Sequence, residues 1–208
     1  DKQRPCKVFA ITSAKSSEGK SLTAANIAIS YAMLGKNTLL IDADMRKPTQ
    51  KRLWHVNVNY GLCDFLAKIG PLELMRVDSI PLTIVCTGTI PPNPSELLAS
   101  DRMKRFVQAC SRAYDYVVID TPPINTVADA QIVSTFVDGV VIVAKSGGTT
   151  SDELNSAIGA VERAGGNLCG VVLNNLNMKS IRSSYRYKYA EDYKYAYKYS
   201  YTESNGAK

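Results

Sequence analysis

The sequence predicts an α/β fold, a doubly wound and mostly parallel sheet with helices on both faces, followed by a tyrosine-rich tail. Three observations carry this. Short apolar, β-leaning runs alternate with helix-period runs over residues 1–178. A loop reading A-K-S-S-E-G-K-S, Ala14–Ser21, joins the first apolar run to the first helical one. Polar residues close three later apolar runs, at Asp42, Asp120 and Asn174. Ligands in doubly wound sheets gather at these carboxyl ends of strands.

In chain order, Cys6–Ser13 is the first strand, apolar almost throughout as a central parallel strand should be. Leu22–Leu34 places Leu22, Ala25, Ile29, Ala32 and Met33 at helical spacing, and Gly35 suits a left-handed C-terminal cap. Thr38–Asp42 is the second strand, and Pro48 discourages helix at Lys47. Gly61–Gly70 reads as a short helix between glycines, and Leu82–Cys86 as a strand. Gly88–Glu96 is a rigid loop with Ser95 as N-cap of Glu96–Leu98. Asp101–Ala113 is a helix with Asp101 at its N-cap, Tyr116–Asp120 a strand stopped by Thr121-Pro122-Pro123, and Val127–Phe136 a helix. Gly139–Lys145 is a strand, Ser151–Ala164 a helix closed by Gly165-Gly166, and Gly170–Asn174 the last strand.

The 208 residues suffice for one large domain, here residues 1–178, with a tail over residues 179–208. No apolar run has the length of a membrane span, and no signal peptide opens the chain. Five scattered cysteines form no Cys-x-x-Cys, so neither a zinc site nor a disulfide framework is indicated, and the cytoplasm is the expected compartment. His55, the lone histidine, has no second ligand near it and reads as a loop residue. Of the net charge of +6, +4 belongs to residues 179–208, so the basic balance is not a basic face on the domain.

A strand, a glycine-bearing loop with Lys-Ser, and a helix are the context of a phosphate-binding loop. Backbone N–H groups of Lys15, Ser16, Ser17, Glu18, Gly19, Lys20, Ser21 and Leu22 would hold the polyphosphate of ATP. Lys20 would reach the β- and γ-phosphates, the Ser21 hydroxyl would ligate Mg²⁺, and Gly19 would allow close backbone approach. Ala14 stands where the usual motif has its first glycine. Asp120 would hold Mg²⁺ directly or through water, and Thr121 follows it in place of a water-activating carboxylate. Asp42 and Asp44, one residue apart, suit an orienting role toward Mg²⁺ and a proton-accepting role, although Asp44 also fits a turn. Arg46 and Lys47 fit phosphate or acceptor binding, or plain solvated loop charge. Asn174 offers its amide to an adenine or serves as a turn residue.

From Tyr185 to Tyr201 the chain has eight tyrosines, all at odd positions: Tyr185, Tyr187, Tyr189, Tyr193, Tyr195, Tyr197, Tyr199 and Tyr201. The stretch lacks Val, Ile, Leu and Phe and is expected to be mobile. Composition leaves three readings open: an ordered strand with every tyrosine on one face, a nucleic-acid-binding tail, or a cluster of phosphate acceptors near an ATP site.

S-A-K-S-S-E-G-K-S (13–21), L-L-I-D-A-D-M-R-K-P (39–48), G-T-I-P-P-N-P-S-E-L-L (88–98), Y-V-V-I-D-T-P-P (116–123) and the tyrosine cluster together resemble the bacterial tyrosine kinases of capsule and exopolysaccharide production. These are phosphate-binding-loop NTPases related to the cell-division and partition ATPases. The resemblance covers essentially the whole chain. It implies ATP-dependent autophosphorylation of the tail tyrosines, largely between neighbouring subunits of a homo-oligomer, with Lys20, Asp42, Asp44 and Asp120 catalytic and Ser21, Asp42 and Asp120 toward Mg²⁺. It also implies a membrane-spanning polysaccharide co-polymerase as activator, recruitment to the inner face of the membrane, a cognate tyrosine phosphatase and no nucleic acid. Members usually carry a ring-building helix with Glu-x-x-Arg-x-x-Arg before the first strand, whereas five residues precede that strand here, so ring assembly is not implied for this chain alone. Lys15, five residues before Lys20, has the spacing of the signature lysine of the cell-division and partition ATPases. A dimerising, switch-type ATPase is therefore the alternative, and a nucleic-acid-binding module using the tail is the third reading.

Overall fold

A computed structural model describes residues 6–176. The tail tyrosines and the 178/179 boundary lie outside the described residues. The strands are β1 (Val8–Ser13), β2 (Thr38–Asp42), β3 (Met75–Val77), β4 (Leu82–Val85), β5 (Tyr116–Asp120), β6 (Gly139–Lys145) and β7 (Leu168–Asn174). The helices are α1 (Lys20–Met33), α2 (Gln50–Leu53), α3 (Leu62–Ala67), α4 (Pro94–Ala99), α5 (Asp101–Ala113), α6 (Asp129–Ser134) and α7 (Ser151–Arg163). The strands form one sheet in the order β3-β4-β2-β5-β1-β6-β7, parallel except for the β3–β4 edge pair.

The central strands are apolar throughout because both of their faces are covered. Leu39, Ile41, Val117, Ile119, Val140 and Ile142 point to the face packed by Met103, Val107 and Cys110 of α5, Val133 of α6 and Ala157, Ala160 and Val161 of α7. The alternate residues Ile11, Leu40, Val118 and Val143 point to the other face, under Ala24, Ala25, Ala28 and Ala32 of α1. Alanine at each of these α1 positions lets the helix approach the sheet closely. That proximity matters, because α1 begins in the phosphate-binding loop. The register sets Asp42 beside Asp120 across β2 and β5.

The predicted doubly wound sheet is present, with local differences. The first helix begins at Lys20 rather than Leu22, so Lys20 and Ser21 lie in its first turn behind Gly19, whose φ is +90°. Ser100, not Asp101, caps α5, its Oγ accepting from Met103 N–H at 3.2 Å. Pro94 starts α4, which frees Ser95 from a capping role, and its hydroxyl donates to Asp129 at 2.6 Å. The helix expected over Val127–Phe136 is confined to Asp129–Ser134. Neither β3 nor α2 was expected. β3 has three residues, too few for a periodic signal. α2 is held at its start by a remote carboxylate: Asp42 Oδ2 accepts from the N–H groups of Thr49 at 3.0 Å and Gln50 at 2.8 Å.

Candidate active site

The loop between β1 and α1 is tied down from outside. The Glu18 carboxylate, buried in the loop, accepts from Lys15 N–H at 2.9 Å and from the Thr149 hydroxyl. Asn174 Nδ2 donates to the Glu18 carbonyl at 2.9 Å. A Cβ at Gly19 would stand 2.0 Å from that same Nδ2, so two requirements converge on glycine there: positive φ and close approach. Ser17 also has positive φ, at +64°, and Ser16 and Ser17 form the exposed crest. Leu22, in the first turn of α1, is 54% exposed. Lys15 Nζ meets both carboxylate oxygens of Glu153 of its own chain, at 2.8 and 2.9 Å.

Behind the loop lies a buried charge cluster. Lys20 Nζ is 2.8 Å from Asp44 Oδ2 and 3.4 Å from Asp120 Oδ1, and donates to Ser21 Oγ at 3.2 Å. Burial pulls the ammonium toward neutrality, but Asp120 and Asp44 outweigh it and the Lys20 pKa stands above the usual lysine value. Asp42 is fully buried beside them. Burial and the Asp120 charge push its carboxyl up to about 7, against the N–H groups of Gln50 and Thr49 that favour the anion. Burial likewise raises Asp120, with Lys20 opposing. Two carboxylates thus face one ammonium, with a third buried beside them, an arrangement short of positive charge.

That shortage fits a hard cation. The oxygen donors Ser21 Oγ, Asp42 and Asp120 suit Mg²⁺. No group of three His, Cys, Asp or Glu among the described residues is arranged to cage a metal unaided. Mg²⁺ binds in this manner, through one or two carboxylates plus phosphate oxygens and water.

The structure brings Lys20, Ser21, Asp42, Asp44 and Asp120 together, as the sequence led one to expect, with Asn174 bracing the loop. One of the two N–H groups of the Asn174 amide goes to Glu18; the second N–H and Oδ1 are what it can offer a base. Arg46 is neither free nor aimed at phosphate: its guanidinium grips buried Asp129 at 2.8 and 3.1 Å and reaches Ser95 at 3.1 Å. Sequence reasoning missed Gln50. Its Nε2 donates to Asp120 Oδ2 at 2.9 Å and to the Ser21 carbonyl at 3.0 Å. The available signal was its place directly after Pro48-Thr49, at the close of the Asp-x-Asp loop.

A lysine in the first turn of a helix, able to trade two carboxylates for a polyphosphate, defines a nucleotide-binding P-loop protein. A family model described as "ParA: NUBPL iron-transfer P-loop NTPase" matches residues 5–199. Its iron-transfer label has no Cys-x-x-Cys to rest on in this sequence. Within that class, tyrosine-protein kinase YwqD of Bacillus subtilis (strain 168) is 41% identical over 191 residues, covering 91% of this chain and 80% of YwqD. CapB of Staphylococcus aureus is 41% identical over 190 residues, covering 89% of this chain and 82% of CapB. The crystal structure of the chimerical protein CapA2B2 superposes with a TM-score of 0.81 at 38% identity, over 84% of this chain and 78% of that one. The chain belongs to the bacterial tyrosine kinases, a family of P-loop NTPases.

Proposed function

We propose that the chain transfers the γ-phosphoryl group of ATP to tyrosine hydroxyls in its own C-terminal cluster, Tyr185–Tyr201, largely between neighbouring copies, and thereby regulates capsular or exopolysaccharide production. The observation that carries the reading is the Lys20 ammonium held between Asp44 and Asp120 at the start of α1. Ser21 and Asp120, with Asp42 behind them, would hold Mg²⁺, which when bound would supply charge neutralisation for the phosphates.

The residues divide the work. Loop N–H groups from Ser16 to Leu22 bind the phosphates, the Lys15 N–H being held by the Glu18 carboxylate, and Lys20 leaves Asp44 to meet the triphosphate. The three N–H bonds from Asp44, Thr49 and Gln50 hold Asp42 toward the loop behind it. Asp44 is released when Lys20 moves, so it is the better placed carboxylate to take the phenol proton. A tyrosine with a pKa of ~10 is a poor nucleophile at neutral pH without such a base. The phenol oxygen bonds to the γ-phosphorus, the bond from that phosphorus to the β–γ bridging oxygen breaks, ADP leaves, and the proton passes to the carboxylate. The Asn174 side-chain amide faces the adenine side in this reading.

The same reading assigns a membrane-spanning co-polymerase as activator, recruitment to the inner membrane face, and a phosphatase that reverses the modification. Among the described residues no helix is long and apolar enough to cross a membrane. The switch-type ATPase alternative rested on Lys15, whose ammonium is paired within its own chain. Lys20→Met tests the proposal. It should abolish both ATP turnover and tail phosphotyrosine. Undiminished phosphotyrosine in that variant would refute the assignment.

A further inference from the structure

We propose that Gln50 is a positioning residue that aims the Asp120 carboxylate at Mg²⁺, and that through Gln50 the indole of Trp54 senses whether the metal is bound. The inference rests on the nucleotide-site reading above.

Gln50 is fully buried, and both its amide N–H groups and its oxygen are engaged. Nε2 donates to Asp120 Oδ2 at 2.9 Å and to the Ser21 carbonyl at 3.0 Å, while Oε1 accepts from Trp54 Nε1 at 3.1 Å. The amide orientation is fixed by this environment. Reversed, it would set its oxygen against a carboxylate and a carbonyl, and its NH₂ against the indole N–H. The backbone N–H of the same residue donates to Asp42 Oδ2 at 2.8 Å. Residue 50 therefore touches both acidic strand ends and the first turn of α1.

Asp120 has two oxygens with different partners. Oδ2 is held by Gln50, and Oδ1 faces Lys20. When Lys20 turns to phosphate, Asp120 loses its neighbouring cation. Gln50 then remains as a neutral donor that keeps Oδ2 turned away and Oδ1 presented to the metal. A neutral amide does this without competing with Mg²⁺ for charge, as a second lysine would. Such outer partners of metal ligands typically change metal affinity 10–100-fold when removed.

Trp54 is the only tryptophan in the chain, so its emission belongs to one site. Its N–H bonds to the same amide that holds Asp120. A metal-dependent change at Asp120 passes through two hydrogen bonds to the indole.

The test uses the full chain with ADP as probe, by calorimetry at graded Mg²⁺ and in EDTA, together with Trp54 emission. Gln50→Met keeps the length and removes every side-chain hydrogen bond. It should lose ~10–100-fold in Mg²⁺ affinity, with a much smaller loss of ADP affinity in EDTA. Wild-type emission should shift with Mg²⁺-ADP but not with metal-free ADP, and the shift should vanish in Gln50→Met. Circular dichroism checks folding; if the Met variant is unfolded, Gln50→Asn, too short to bridge Asp120 and Trp54, should show the same selective loss. Unchanged Mg²⁺ dependence, equal losses with and without Mg²⁺, or an unaltered emission shift in the variant would overturn the proposal while leaving the nucleotide site intact. A wild-type chain that binds no ADP would overturn both.

Discussion

Replacing Asp42 by asparagine should make the chain more stable at pH 8 and flatten its stability between pH 5 and pH 8. The Asp42 carboxyl is pushed up to about 7 from an ordinary 3.8 by burial and by Asp120. Between those values the folded state keeps a proton that the unfolded state has lost. Raising the pH then costs the folded state, so wild-type stability falls across this window. Each unit is worth ~1.36 kcal/mol, so the two units from pH 5 to pH 7 remove ~2–3 kcal/mol before the effect levels off. Asp120, also raised, adds to the same slope. Lys20, raised above an already high value, and Asp64, lowered, titrate outside the window, and the raised thiols of Cys63, Cys86 and Cys110 enter only at higher pH. The asparagine oxygen can still accept from Thr49 and Gln50, but its NH₂ would face the Asp44 N–H, a cost of ~1–2 kcal/mol. The net expectation is a variant ~1 kcal/mol more stable than wild type at pH 8 and less stable at pH 5. Urea unfolding at pH 5, 6.5 and 8 measures this. Wild-type stability that rises with pH, or a variant with the wild-type slope, would refute the reasoning.

Further outcomes follow from the site's packing. Gly19→Ala should destabilise by ~1–3 kcal/mol and weaken ADP binding, because a Cβ collides with Asn174 and the backbone is left-handed; thermal unfolding and calorimetry would read both. Arg46→Met strands the buried Asp129 carboxylate with Ser95 as its remaining partner, and with Arg46 itself 41% exposed the loss should be ~2–3 kcal/mol, read by urea unfolding. Lys15→Ala removes an exposed ion pair and should leave the unfolding midpoint at the wild-type value. A fall in tail phosphorylation in that variant at unchanged midpoint would show Lys15 acting beyond its own chain.

The sheet was legible because central parallel strands are apolar runs: Thr38–Asp42, Tyr116–Asp120 and Gly139–Lys145 match the observed strands residue for residue. That Lys20 and Asp120 lie at the same end of the sheet was legible too, since the loop and the strand-end carboxylate both sit at carboxyl ends of strands; that β1 and β5 are neighbours, which lets them pair, was not. Partners supplied from far along the chain were not. Asp42 starts α2 from eight residues upstream, so no local cap marks that helix. Asp129 binds Arg46 across 83 residues and draws Ser95 away from capping. Gln50 looks like any helix-surface glutamine until Trp54, Ser21 and Asp120 close around it.

Intact mass spectrometry of the full chain after incubation with Mg²⁺-ATP addresses the kinase reading most directly. A ladder of added phosphoryl groups is expected, localising on peptides from Tyr185–Tyr201 and absent from Lys20→Met. An unmodified mass in a chain that binds and hydrolyses ATP would contradict it.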